Sequence, residues 1–172
     1  MSQTEPSGDH LASTRTYAWT EPDGLLPLLA TTAGADYVSG VGDGTIPPPP
    51  IASTLGFGSL LLVDGEVVLE LDPHSFHDNP IGSMHGGVIA TMLDTVTGCA
   101  VHATLPVGVT YTSLDLSVRF IRAVRPGTGT VTARGRVVHR GSRTAVAEAT
   151  VTDASGRLIA TATSTCLVIE PS

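Results

Sequence analysis

Residues 79–103 read NPIGSMHGGVIATMLDTVTGCAVHA, and this stretch decides the fold. It starts as a polar loop rich in turn formers and continues as a helix candidate over residues 86–103. At about 100° per residue, Val88, Ile89, Met92, Val96, Cys99 and Ala103 share one broad apolar stripe, which should face a sheet. The opposite side carries Gly87, Ala90, Thr91, Asp94 and Gly98, small and uncharged apart from Asp94. A helix side facing water normally carries Lys, Glu or Arg. This one is expected to be covered by another copy of the chain, so the sequence predicts a homo-oligomer. Pro106 and Gly108 stop the helix.

Upstream, residues 56–63 (GFGSLLLV) and 66–72 (EVVLELD) flank Asp64-Gly65. Asp-Gly between two apolar runs predicts a hairpin, because a type I′ turn needs positive φ at both central residues. Downstream the chain alternates with period two. Leu114, Leu116, Val118 and Phe120 point one way; Ser113, Asp115, Ser117 and Arg119 point the other. After a Pro126-Gly127 turn, Val131, Ala133, Gly135 and Val137 share a face of the next strand. Ala145, Ala147, Ala149 and Val151 share a face of the one after, and residues 157–168 form the last. Successive strands with short turns predict an antiparallel meander. Hairpin, long apolar helix and meander together predict an α+β fold, with the helix on the concave side of one curved sheet.

Residues 1–14 read as a polar tail, and residues 24–38 as one short helix on Leu25, Leu26, Leu28 and Leu29. The run Pro47–Pro50 reads as stiff polyproline-like chain. Hydrophobic residues make up 41% and aromatics 4%, so an aliphatic core is expected in one domain. No apolar run suggests a membrane span, and the N-terminus lacks the form of a signal peptide. Cys99 and Cys166 read as free buried thiols, which points to the cytoplasm. The net charge of −7 argues against nucleic-acid binding. That charge is uneven: Arg15 is the one basic residue in 1–118, and the other eight Arg lie in 119–172. The basic half is either a salt-bridged sheet face or an anion-docking patch.

Asp94 needs an explanation, since an unpaired buried carboxylate is costly and Asp is a poor interior helix residue. It is either satisfied by a hydroxyl or backbone donor, or it does chemistry. His85-Gly86-Gly87 enters the same helix, where the first N–H groups have no intrahelical partner and the dipole is positive. Such groups can stabilise an oxyanion. Gly86 and Asp94 are about 12 Å apart along one helix axis. If both act on one carbonyl, Asp94 comes from a partner chain. His74, His77 and Asp78 read as a polar loop rather than a metal site, and no Gly-x-Ser-x-Gly or phosphate-binding glycine loop occurs.

Asn79-Pro80-Ile81-Gly82-Ser83-Met84-His85-Gly86-Gly87 followed by Asp94 resembles the hotdog-fold acyl-CoA thioesterases of the phenylacetate-degradation type. The strand Ser113–Arg122 resembles theirs as well, and the likeness covers roughly residues 51–168. It implies a hotdog domain over 51–172, preceded by a tail and short helical extension over 1–50. It implies that Asp94 acts as general base or nucleophile and that the Gly86 amide binds the thioester oxygen. Asn79 would orient water or thioester, His85 would help position the thioester, and Ser113, with Thr112 in the adjoining register, would support the water. Gly87 and Met84 would contact substrate, with Leu93 and residues before Ile51 also on the acyl pocket wall. No metal or separate cofactor is implied, since coenzyme A arrives as part of the substrate. Its phosphates would meet Arg140-Gly141-Ser142-Arg143, or next Arg122, Arg125 or Arg157. The family's active sites lie at dimer interfaces, and its dimers commonly pair into tetramers. A hydratase or dehydratase using His85 and Asp94, and a non-catalytic acyl-CoA or acyl-carrier binding module, are the alternatives.

Overall fold

The computed structural model describes residues 12–170, so all but the last three residues of the expected polar tail lie outside the described residues. Six strands, β1 (Leu60–Val63), β2 (Glu66–Leu71), β3 (Thr110–Phe120), β4 (Val131–Arg140), β5 (Thr144–Asp153) and β6 (Leu158–Ile169), form one antiparallel sheet in the order β1-β2-β4-β5-β6-β3. The helices are α1 (Leu26–Thr31), α2 (Gly34–Asp43), α3 (Pro50–Leu55) and α4 (Gly86–His102). This is the expected α+β hotdog architecture, a curved sheet wrapped around α4.

Local sequence explains most of the sheet. Asp64 and Gly65 sit at φ 51° and 80°, as a type I′ hairpin between β1 and β2 requires. The alternating Val131, Ala133 and Gly135 of β4 and Ala145, Ala147, Ala149 and Val151 of β5 are buried against the helix side. Small residues there let the helix come close. A Cβ on Gly135 would lie 2.5 Å from the Val96 carbonyl oxygen, so only glycine fits under that turn of α4.

Two features depart from the expectation. The Pro126-Gly127 turn does not make a hairpin. β3 pairs with β6, while β4 pairs with β2 and β5, so residues 121–130 carry the chain across the end of the sheet. Alternation along β3 is also broken. Ser113 pairs with Cys166 and Asp115 with Thr165, which leaves Leu114 as an extra, bulged residue. The bulge switches the phase. Tyr111 and Ser113 face α4 before it, and Leu116, Val118 and Phe120 face the helix side after it. Ser113 and Leu116, expected on opposite faces, therefore share one.

On α4, Val88, Ile89, Met92, Leu93 and Val96 lie in the main core, with Cys99 and Ala103 at its border. The helix threonines are not left unsatisfied. Thr91, Thr95 and Thr97 donate to the carbonyls of Gly87, Thr91 and Leu93 at 2.8, 2.8 and 2.9 Å. Gly98, expected on the open side, is instead covered within the chain, since a Cβ there would meet Tyr111 Oη at 2.5 Å.

The single helix expected over 24–38 is two helices, broken at Thr32-Ala33. The break lets α2 dock. The Gly34 N–H donates to the Leu105 carbonyl at 3.0 Å, and a Cβ on Gly34 would lie 1.7 Å from the His102 carbonyl oxygen. At the other end, a Cβ on Gly42 would lie 2.2 Å from the Leu60 carbonyl oxygen. Thus α2 spans from the C-terminus of α4 to β1. Pro50, last of the proline run, opens α3.

Gly135→Ala should destabilise the chain by about 1–3 kcal/mol through overpacking against Val96. Urea unfolding followed by circular dichroism measures it.

Candidate active site

The loop before α4 is tied down by its backbone. Met84 N–H donates to the Val124 carbonyl and His85 N–H to the His77 carbonyl, at 2.9 and 2.8 Å. His77 is itself buried and structural, its Nε2 within 2.7 Å of the Leu55 carbonyl oxygen. Asn79 shapes the turn: its Oδ1 accepts from Ile81 N–H at 3.1 Å, and its Nδ2 donates to Ser83 Oγ at 3.3 Å.

At the helix start, His85 is the N-cap. Its Nδ1 accepts from Gly87 N–H at 2.9 Å, so that nitrogen carries no proton. Val88 N–H donates to the His85 carbonyl at 3.0 Å. The Gly86 N–H has no acceptor among the described residues. Hence the Gly87 amide is spent on the cap, and Gly86 presents the free donor. The Phe120 ring lies over Gly86, its Cζ 3.2 Å from where a Cβ would stand, and Phe120 is 56% exposed. Alternation along β3 sets Phe120 on one side with Leu116 and Val118, but nothing else in the sequence marks it as part of the site. That side was the only signal.

Asp94 is exposed, and Ser113 Oγ donates to its Oδ1 at 3.2 Å. Its Oδ2 has no partner among the described residues. The structure brings Asp94 and Ser113 together and sets His85, Gly86 and Gly87 at the helix start, while the Asn79 side chain is engaged with Ile81 and Ser83 in its own turn. It does not join the two groups within one chain. Met84 and Leu93 are in the main core, 4% and 0% exposed, and neither lines the cavity beside α4.

The basic half serves several purposes. Arg134 pairs with Glu66 at 3.7 Å, Arg136 pairs with Glu148, and Arg157 pairs with Asp153 at 2.8 Å. Arg157 is therefore engaged rather than free for an anion. The Arg140–Arg143 turn joins β4 to β5; the Arg140 guanidinium bonds the Gly141 carbonyl, while Ser142 and Arg143 are exposed. Arg122 bonds the Leu158 carbonyl and, with Arg125, flanks Val124 beside the helix start. Among the described residues no group of three His, Cys, Asp or Glu gathers as a metal site.

Residues 81–160 match the family model described as the thioesterase superfamily. Human acyl-coenzyme A thioesterase 13 is 30% identical over 107 residues, covering 60% of this chain and 75% of that protein. A Halobacterium salinarum protein named as an esterase is 38% identical over 93 residues, and the match spans 51% of this chain and 60% of that protein. A solved structure from Ralstonia eutropha, described as a phenylacetic acid degradation-related protein and thioesterase, has 33% identity and a TM-score of 0.68, covering 76% of this chain and 98% of that one. The chain belongs to the thioesterase superfamily. In class it is a thioester hydrolase, and within that class its likeness runs to the phenylacetate-degradation type.

Cys99, one turn beyond Thr95, is half-buried and a poor nucleophile. Burial, then the nearby Asp94 charge, push its thiol up to about 12. Iodoacetamide at about pH 8 should therefore alkylate Cys99 far more slowly in the folded chain than in urea, as mass spectrometry reads out.

Proposed function

We propose that the chain hydrolyses acyl-CoA thioesters in a homodimer whose sites each combine the Gly86 N–H of one protomer with Asp94 of the other. The observation that carries this is the Asp94–Ser113 pair, exposed midway along a helix otherwise free of carboxylates, with one oxygen unclaimed. Asp94 takes a proton from water as the water oxygen bonds to the thioester carbon. The oxyanion forms against the Gly86 N–H, as the positive end of α4 favours. The C–S bond then breaks, and the proton passes to the departing thiolate. Asn79 and His85 position the thioester, and Ser113 steadies the carboxylate.

Two features support the partner copy. β3 is an uncovered edge strand, and Leu114, Phe120 and Ile121 are exposed at 57%, 56% and 52% along and just beyond it. Gly87 and Asp94 are exposed on the same side of α4. An antiparallel partner along that edge would bring Gly86 of one helix toward Asp94 of the other, and such dimers can pair into tetramers. The Arg140–Arg143 turn near the C-terminal half of α4, and Arg122 and Arg125 near its start, supply cations for the coenzyme A phosphates. Free Cys99 and Cys166 fit the cytoplasm, and no helix among the described residues is long and apolar enough to cross a membrane.

Asp94→Asn should lower kcat for thiol release by about 10²–10⁴-fold with the fold intact. Gly86→Pro removes the N–H but also adds a Cβ 3.2 Å from the Phe120 ring, so Gly86→Ala, which adds that Cβ and keeps the N–H, is its control. Proline suits the first helical position, and His85 at φ −63°, ψ 135° already has the backbone that precedes a proline. That change should cost about 10²–10³-fold in kcat. Wild-type turnover in either folded variant would remove that residue from the mechanism.

A further inference from the structure

A cavity of about 390 Å³ lies between the N-terminal segment and the C-terminal half of α4, within the size range of small-molecule sites. Thr95, Cys99 and His102 of α4 and Tyr111 of β3 form one wall, and Tyr37 and Val41 of α2 lie on the other. The α2 wall is held by the glycine contacts at Gly34 and Gly42, and it lies outside the stretch 81–160 shared with the family. Thr95, the lining residue at the near end of α4, directly follows Asp94, which is not itself in the wall. His102 stands about 12 Å further along the helix, the reach of a medium-length acyl chain.

His102 is 5% exposed, yet neither ring nitrogen has a hydrogen-bond partner among the described residues. Its ring is held between Tyr37 and Tyr111, with centroids 5.4 and 5.7 Å away. Buried polar groups are almost always satisfied, so two unpartnered nitrogens, each with under 1 Å² accessible, on a residue of the cavity wall call for a ligand group or water. Burial holds the imidazole below the usual histidine range, leaving it neutral with one donor and one acceptor. Burial likewise raises the Tyr37 and Tyr111 phenols. No Asp, Glu or Arg lines the cavity. The wall is thus uncharged but able to hydrogen-bond, which suits a neutral polar group and disfavours a carboxylate.

We propose that this cavity receives the distal end of the acyl group and that His102 sets specificity by hydrogen-bonding an uncharged hydroxyl or carbonyl carried there. The substrates so selected are hydroxyacyl- or oxoacyl-CoA thioesters of medium chain length. This rests on the acyl-CoA hydrolase reading above.

The test compares thiol release from octanoyl-CoA, ω-hydroxyoctanoyl-CoA and suberyl-CoA by the wild type, His102→Phe and His102→Gln. Phe keeps the ring between the tyrosines and removes both nitrogens; Gln keeps a donor and an acceptor. In the wild type, kcat/KM should favour the hydroxy substrate over octanoyl-CoA by about tenfold, the worth of one buried hydrogen bond, with suberyl-CoA the poorest. His102→Phe should erase that preference, chiefly through KM, while still turning over octanoyl-CoA, and His102→Gln should retain part of it. Equal kcat/KM for the first two substrates in the wild type, or an undiminished preference in His102→Phe, would overturn the proposal. Release of thiol from no acyl-CoA would instead sink the hydrolase reading. Calorimetric titration with the non-hydrolysable thioether analogues separates the two cases. About tenfold tighter binding of the hydroxy analogue, lost in His102→Phe, supports the pocket without turnover, and equal binding refutes it.

Discussion

Along its seventeen residues α4 carries no Lys, Arg or Glu, and Asp94 is its one carboxylate. Such a helix cannot face water on its own, and the chain is arranged to cover it. The sheet wraps it, with Gly135 letting β4 approach the Val96 turn. Gly34 brings α2 against its C-terminal end, and Tyr111 closes over Gly98. Its threonines turn their hydroxyls back to the helix carbonyls. What this leaves uncovered is the stretch where Gly86, Gly87 and Asp94 are accessible, and there the chemistry is proposed.

Asp153 shows what a purely structural carboxylate looks like in this fold. It is 5% exposed and accepts from Ser155 Oγ and N–H and from Arg157 N–H and Nε, at 2.7 to 3.0 Å. These bonds, led by the Ser155 hydroxyl, hold it well below the usual carboxylate range. It shapes the β5–β6 turn. Asp94 has one hydroxyl donor and an open oxygen. Asp94 is exposed in the single chain, so water can hold its charge there, and the proposed reaction gives its open oxygen a use.

The parts of the fold that depend on neighbours in sequence were legible. The Asp64-Gly65 turn, the small alternating faces of β4 and β5 and the entry of α4 at His85-Gly86 all follow from local backbone preference and period. Ser113 came instead through family resemblance, as a support for the water and not as a partner of Asp94, because alternation alone set Ser113 and Leu116 on opposite faces. The Leu114 bulge that reconciles them depends on pairing with β6, which no pattern within β3 encodes. The crossing of residues 121–130 was hidden for the same reason: a Pro-Gly turn looks alike whether or not its flanking strands pair. Nothing local in the sequence marks Gly34 and Gly42, and only the distant carbonyls of His102 and Leu60 show them to be docking points. His102 had no visible role until α2 closed the cavity in front of it.

The division of labour along α4, with the oxyanion donor and the carboxylate serving opposite sites of a dimer, is tested most directly by subunit mixing. Asp94→Asn and Gly86→Pro chains, each inactive alone, are unfolded, combined in equal amounts and refolded. One intact site forms in each mixed dimer, so random pairing should restore about a quarter of the wild-type rate of thiol release. Activity that stays at the level of the separate variants, in dimers shown to have exchanged subunits, would contradict the shared site.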